Sequence, residues 1–144
     1  MKVSFHYEPG NGFVSDEKGM DTLIMKDPLL ERTTRISPTE LLVYAMGGCS
    51  SADVVLILTR MRKNIKSYKV EVEAEREELE PKTLKDVNIH YIMEGDFSDE
   101  NAKRAVTLSL ERYCSVSILA KRGGTHLTYS ITLNGEKLVH KAEA

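Results

Sequence analysis

The 144-residue chain contains no tryptophan, only two cysteines and only four prolines. Two cysteines without a CxxC pair or a Cys/His cluster argue against a disulfide scaffold and predict no metal site. The 20 basic and 22 acidic side chains are mixed and give a net charge of −2, so no nucleic-acid-binding surface is expected. We see no export signal and no apolar run long enough to cross a membrane. These absences predict a soluble cytoplasmic protein with free thiols and no membrane partner.

Several motifs that mark common enzyme classes are also missing. The sequence has no GxxxxGK[ST], GxGxxG or GxSxG segment, which argues against an ATPase, a Rossmann dehydrogenase and a serine hydrolase. None of the four histidines has the i, i+4 spacing of a helical metalloprotease site. We therefore predict neither a cofactor nor a bound metal.

The length and the lack of repeats or linkers predict one domain over residues 1–144. Alternation in residues 3–7 indicates a strand with one buried face. Phe13-Val14 and the segment 22–25 look like two further strands around a turn at Lys18-Gly19. A three-stranded meander is expected.

A helix start is visible at Ser37-Pro38-Thr39-Glu40, where Ser37 can cap and Glu40 can close a capping box. The helix is expected to continue to Arg60, with Gly47-Gly48 interrupting it. Apolar spacing predicts that its buried face is formed by Leu41, Leu42, Ala45, Met46, Cys49, Ala52, Asp53, Leu56 and Ile57.

The remaining sequence patterns predict an α+β fold. Strict alternation in residues 68–75 and again in 86–93 predicts a long hairpin. Ser98 opens a second helix that should end near Cys114, and residues 127–133 read as a last strand that stops at Asn134-Gly135. Because helices and strands are segregated, antiparallel sheets packed on two main helices are expected.

The two cysteines are the residues most suited to chemistry. Cys49 follows two glycines, which permit a kink or the close approach of another group. A thiolate there could attack a peroxide oxygen, and Cys114 is the one thiol available to resolve the sulfenic acid. The alternative is that both are ordinary buried cysteines. Asp53, one turn after Cys49, is interpreted as structural because a nearby carboxylate disfavours a thiolate.

Three segments together resemble the osmotically inducible protein C family, OsmC/Ohr. They are Ser37-Pro38-Thr39-Glu40-Leu41-Leu42, Gly47-Gly48-Cys49-Ser50, and Glu111-Arg112-Tyr113-Cys114-Ser115-Val116-Ser117. The order of elements also matches over nearly the whole chain.

This resemblance implies an intertwined homodimer with two sites at its interface. It implies that Cys49 attacks an organic hydroperoxide, that Cys114 resolves it, and that a dithiol such as a lipoyl group is the reductant. Peroxidase members place a Glu ten positions before the first cysteine, where this chain has Thr39 with Glu40 beside it. They also use an Arg from the N-terminal loop, but no Arg precedes Arg32 here, so Arg32 and Arg35 are the substitutes considered. Glu40 and Arg35 are accordingly the predicted supporting residues.

Two other functions remain open from the sequence. One is a non-enzymatic redox sensor or small-ligand-binding protein, suggested by the changed supporting residues. The other is an acyl-thioester hydrolase, for which Glu40 is the one evident acid or base near the helix start.

Overall fold

The structure is a computed structural model that describes residues 3–16, 22–30 and 34–144. Contacts along the backbone divide the chain into two compact units, Met1–Leu42 and Val43–Ala144. Each unit is described by itself below. The expectation of a single domain over residues 1–144 stays a prediction.

The N-terminal unit contains a three-stranded antiparallel sheet. Its strands are β1 (Phe5–Glu8), β2 (Gly12–Ser15) and β3 (Ile24–Met25), in the order β1-β2-β3. The predicted meander is therefore confirmed. The turn predicted at Lys18-Gly19 lies outside the described residues.

Helix α1 spans Pro38–Arg60 and begins with the predicted capping box. The Glu40 N–H donates to Ser37 Oγ at 3.2 Å, and the Ser37 N–H donates to Glu40 Oε2 at 2.8 Å. The predicted interruption at Gly47-Gly48 is wrong, because the helix continues through both glycines. Gly47 instead permits close packing, since a Cβ there would lie 2.8 Å from Val72 Cγ2.

The predicted buried face of α1 is partly wrong. Four of the nine predicted residues are exposed, because the helix is apolar on more than one side and spacing alone cannot choose between the sides. They are Leu42, Ala45, Ala52 and Leu56. The residues that α1 does bury are Met46, Gly47, Ser50, Val54 and Leu58.

By length and composition α1 is also long and apolar enough to cross a membrane, so the expectation that no run reaches that length is wrong. The core helix of a globular protein passes the same test, and α1 carries Asp53 near its middle. One such helix is weak evidence of a membrane span.

The C-terminal unit is built on a four-stranded sheet of β4 (Ile65–Arg76), β5 (Leu84–Gly95), β6 (His126–Leu133) and β7 (Glu136–Glu143), in the order β4-β5-β6-β7. Strands β4 and β5 form the predicted hairpin. The prediction of a purely antiparallel sheet is wrong, because β5 and β6 run parallel. The helices between these two strands return the chain to the end of the sheet at which β5 begins. Strand β6 therefore runs in the same direction as β5, as is usual for strands joined by a crossover connection.

Strand β7 was not predicted. Asn134 and Gly135, which were expected to end the last strand, both have positive φ and turn the chain into an antiparallel hairpin of β6 with β7. This is the usual role of an Asn-Gly pair between two strands. The α+β class itself is confirmed.

The segment between β5 and β6 holds two helices where one was expected. Helix α2 (Asp99–Leu108) is capped by Ser98 as predicted, continues into a π-helical turn (Ser109–Tyr113), and is followed by α3 (Ser115–Arg122). Among the described residues the structure therefore has three α-helices, α1, α2 and α3, where two main helices were expected. Buried side chains of α1, α2, β5 and β6 form one core in this unit.

Candidate functional site

Cys49 lies in the middle of α1, on a turn that is packed closely against strand β4. Gly47 on the same turn approaches Val72 and Val70, which leaves no room for a side chain. Ser50 is fully buried, whereas Cys49 is half-buried and Gly48 is exposed. The thiol of Cys49 therefore lies at the boundary between the core and the solvent.

Cys114 occupies the break between the π-helical turn and α3. Its backbone leaves the helical region and its N–H donates to Ser109 O at 2.8 Å, so it becomes the N-cap of α3. The Cys114 thiol donates to Ser117 Oγ at 3.1 Å and accepts from the Ser117 N–H at 3.4 Å. Cys114 is fully buried, and Ser117 is the partner in both of these hydrogen bonds.

The fold brings the two thiols together. Cys49 and Cys114 are both unpaired, and their Sγ atoms and a carboxylate oxygen of Asp53 all lie within 4.8 Å of one another. A disulfide has an S–S bond of about 2.05 Å, so bond formation requires the two side chains to turn toward each other. The separation along the sequence gave no information on this distance.

Burial is the main influence on Cys114. It raises the pKa of the Cys114 thiol, while hydrogen bonds from the Ser117 side chain and backbone act in the opposite direction. A thiol of this kind is mostly protonated at neutral pH. The more accessible Cys49 is the better placed of the two to meet a substrate.

Asp53 is oriented by Ser109. The Ser109 hydroxyl lies 3.1 Å from Asp53 Oδ2 and 3.1 Å from the Ser50 carbonyl oxygen, and it has one hydrogen to donate between these two acceptors. Ser109 is fully buried at the first residue of the π-helical turn. Turns of this type are rare and often occur at functional sites.

The residue after Cys49, Ser50, forms a buried pair of hydroxyl groups with Tyr91. Tyr91 OH donates to Ser50 Oγ at 2.8 Å, and Ser50 Oγ donates to the Gly47 carbonyl oxygen at 3.1 Å. Burial raises the pKa of Tyr91, and it raises the pKa of the neighbouring Tyr68 to about 12. Neither phenol ionises near neutral pH, so neither is a general base for the thiols.

The two predicted supporting residues belong to the N-terminal unit and make local contacts there. Arg35 Nη2 donates to Asn11 Oδ1 at 2.5 Å. Glu40 is part of the capping box, where the Ser37 hydroxyl, followed by its backbone N–H, lowers the pKa of the Glu40 carboxyl. The catalytic roles of Arg35 and Glu40 stay predictions, and Arg32 lies outside the described residues.

From the sequence, Asp53 was interpreted as structural, and Ser109 and Ser117 were not predicted as site residues. A signal for Asp53 was present, because residues at i and i+4 share a helix face and Asp53 therefore lies on the face of Cys49. Ser117 follows Cys114 by three residues, the spacing between an N-cap and the backbone N–H that it accepts. Ser109 could not be found from the sequence, because its partners belong to a different helix.

The chain matches a known protein family. A family model described as OsmC-like protein matches residues 31–130, a range that includes both cysteines, Asp53 and Ser109. Protein YhfA of Escherichia coli (strain K12) is 39% identical over 95 residues, which cover 65% of this chain and 70% of that protein.

Solved structures share the fold over almost the whole chain. A hypothetical protein from Aquifex aeolicus VF5 superimposes with a TM-score of 0.81 at 28% identity, covering 92% of this chain and 95% of that one. An organic hydroperoxide resistance protein from Elizabethkingia anophelis superimposes with a TM-score of 0.71 at 16% identity, covering 93% of this chain and 97% of that one. At that identity the second likeness shows the fold alone.

Proposed function

Because this chain belongs to the OsmC-like protein family, we propose that it is a thiol peroxidase that reduces organic hydroperoxides through a two-cysteine cycle. The observation that carries the proposal is the pairing of a half-buried Cys49 with a fully buried Cys114, their sulfurs within 4.8 Å. A reactive thiol with a second thiol beside it is the arrangement that turns a sulfenic acid into a disulfide.

The proposed cycle has two steps. The Cys49 thiolate attacks the terminal oxygen of the hydroperoxide and the O–O bond breaks. The alkoxide leaves with the electron pair and takes up a proton to give an alcohol, and Cys49 becomes a sulfenic acid. The Cys114 thiolate then attacks the Cys49 sulfur, a disulfide forms as the S–O bond breaks, and the hydroxide that leaves takes up a proton to give water. An external dithiol, such as a lipoyl group, restores both thiols by exchange.

The substrate class rests on the family and on the position of Cys49. The Elizabethkingia anophelis neighbour is named an organic hydroperoxide resistance protein, and α1 carries apolar side chains beside the half-buried thiol. An apolar surface favours an alkyl hydroperoxide over hydrogen peroxide. Hydrogen peroxide is the second substrate, and its reduction should be compared with that of an organic hydroperoxide.

The exposed side of α1 supports a homodimer, the assembly proposed for this chain. Tyr44 is 70% exposed and Leu56 is 47% exposed, and an added Cβ at Gly48 would meet nothing within 4 Å. An apolar helix face with an open glycine suits a second copy of the same helix.

Analytical ultracentrifugation tests the dimer. We expect wild type to sediment as a dimer and Leu56→Glu to sediment as a monomer. Leu79→Glu is the matched control, because Leu79 is 83% exposed and lies between β4 and β5. A monomeric wild type, or a Leu56→Glu variant that remains dimeric, would contradict the proposal.

A cytoplasmic location without nucleic-acid or membrane partners is part of the same proposal. The net charge of −2 supports the absence of a nucleic-acid partner, and the central Asp53 of α1 favours a helix in a water-soluble protein.

Peptide mapping by mass spectrometry tests the peroxidase. The reduced protein is treated with one equivalent of cumene hydroperoxide, with Cys49→Ser and Cys114→Ser in parallel. We expect a Cys49–Cys114 disulfide in wild type, a dimedone-trapped sulfenic acid at Cys49 in Cys114→Ser, and no peroxide consumption by Cys49→Ser. If both wild-type thiols stay reduced in a large excess of peroxide, the peroxidase proposal is wrong.

A redox sensor is the second candidate, and the local contacts of Arg35 and Glu40 favour it. Side chains with structural partners are less free to activate a thiol. A peroxidase consumes many equivalents of peroxide when lipoamide is supplied, whereas a sensor is oxidised once and stops. Counting turnovers therefore separates the two functions.

A further inference from the structure

Cys49, Asp53 and Cys114 form a cluster of three donor groups that the sequence did not predict as a metal site. We propose that this cluster, when both thiols are reduced, binds one thiophilic divalent cation, with Zn²⁺ as the physiological ion. It is the single group of this composition in the part of the chain that the structure describes. The proposal concerns the reduced protein and does not depend on turnover of a peroxide.

The distances suit a shared ion. The two sulfurs and the Asp53 oxygen lie within 4.8 Å of one another. With Zn–S bonds of about 2.3 Å and tetrahedral angles, two sulfurs on one zinc are roughly 3.8 Å apart. The upper limit of 4.8 Å on the distances between the three donor atoms includes this separation, and Cys49 and Asp53 are both half-buried.

The donor types determine which ion binds. Two thiolates select zinc, cadmium or copper(I), whereas magnesium and calcium prefer oxygen ligands. When both thiols ionise, three negative charges lie in one place, and a divalent cation offsets their mutual repulsion. Three protein ligands leave the fourth position of a tetrahedral ion open for water.

Neighbouring groups already hold two of the three donors. The Ser109 hydroxyl lies 3.1 Å from Asp53 Oδ2, and the Ser117 N–H donates to Cys114 Sγ at 3.4 Å. Hydrogen bonds of this kind orient the ligands of metal sites in proteins. Cys114 is buried and held in place, while Cys49 and Asp53 are half-buried and give an ion access from solvent.

Metal binding and disulfide formation exclude each other, because a sulfur in a disulfide bond no longer carries the thiolate charge that binds the ion. A bound ion would therefore withhold Cys49 from peroxide, and oxidation would release the ion. The site thus links the redox state of the thiols to metal occupancy.

Titration of the fully reduced protein with Cd²⁺ and Zn²⁺ in the absence of oxygen tests the proposal. We expect one Cd²⁺ per chain with a thiolate-to-cadmium charge-transfer band, and we expect an excess of Zn²⁺ to compete for the same site. Cys49→Ser and Cys114→Ser should each abolish the band, and Asp53→Asn should weaken Zn²⁺ binding by at least about tenfold. Asp96→Asn is the matched control, because Asp96 is exposed and pairs with Lys66.

Three results would overturn the proposal: no saturable binding by the reduced wild type, binding that persists in both cysteine variants, or equal affinity of Asp53→Asn and Asp96→Asn. Circular dichroism of each variant shows whether it is folded, and diamide-oxidised wild type must lose the site. No peroxide is present, so the titration and the peroxidase assay can fail independently.

Discussion

The hydroxyl of Tyr91 on β5 donates a hydrogen bond of 2.8 Å to the hydroxyl of Ser50 on α1, one residue after Cys49. Both side chains are fully buried. The bond joins strand β5 to the helix turn that carries Cys49. The helix turn that contains Cys49 is therefore held by this buried hydrogen bond as well as by the apolar contact of Gly47 with Val72.

This contact predicts an asymmetry between two substitutions. Ser50→Ala leaves the buried Tyr91 hydroxyl without its acceptor and should lower the free energy of unfolding by about 1–3 kcal/mol, whereas Tyr91→Phe should cost about 0.5–1.5 kcal/mol. Urea unfolding of both variants and of the double variant measures this. In the double variant Ser50→Ala should cost less than it does alone, and simple additivity would contradict the interpretation.

Gly47 provides a second test of how α1 meets the sheet. Gly47→Ala places a methyl group 2.8 Å from Val72 Cγ2, and we expect it to lower the free energy of unfolding by about 1–3 kcal/mol through overpacking. The same substitution should cost less in a Val72→Ala background, where the contacting methyl group is absent. An equal cost in both backgrounds, measured by urea unfolding, would show that Val72 is not the cause.

The two thiols should differ in alkylation. Because Cys114 is buried and burial raises its pKa, we expect iodoacetamide to modify it at least about tenfold more slowly than the accessible Cys49 at neutral pH. Ser117→Ala removes the hydroxyl that lowers the pKa of Cys114 and should move its alkylation midpoint to higher pH. Peptide mapping over a range of pH measures both effects. In urea the two thiols should react alike, and an unshifted midpoint in Ser117→Ala would contradict the role of Ser117.

His126 should titrate above its ordinary pKa. Glu143 and Asp86 accept from its ring nitrogens at 2.8 and 2.7 Å, and the Glu143 bond is the larger cause of the raised pKa. The stability from the charged ring is fully present below about pH 6.5, the value in unfolded chains, and is lost as pH rises through the higher folded pKa.

Nuclear magnetic resonance titration of the imidazole measures this shift. We expect Glu143→Gln to lower the pKa of His126 more than Asp86→Asn does. The stability advantage of wild type over His126→Asn should shrink as the pH rises above 6.5. A wild-type midpoint at or below 6.5 would contradict the two hydrogen bonds.

Local features of the structure followed from the sequence. The capping box of Ser37 and Glu40, the β4–β5 hairpin and the cap of α2 at Ser98 were all predicted and are present. These features depend on residues that are close in the chain or on strict alternation, so the sequence pattern contains their cause. The family resemblance also came from short segments around the two cysteines, and the family is confirmed.

Non-local features did not follow from the sequence. The sequence pattern did not show that α1 stays helical at Gly47, where the missing side chain allows close contact with Val72. It also did not show that β5 and β6 are parallel, or which side of α1 is buried. Each outcome depends on packing between segments far apart in the chain, and periodicity records the faces of one segment without its partners.

The sequence by itself determined the two cysteines, the helix that carries the first, and the α+β class, because each is written in local patterns and motifs. The tertiary structure alone decided that Cys114 is buried beside Cys49, and that Asp53, held by Ser109, joins both sulfurs within 4.8 Å. The physical reason is that the break after the π-helical turn and the packing of α1 place these atoms, and both depend on contacts across the core rather than on neighbours in the chain.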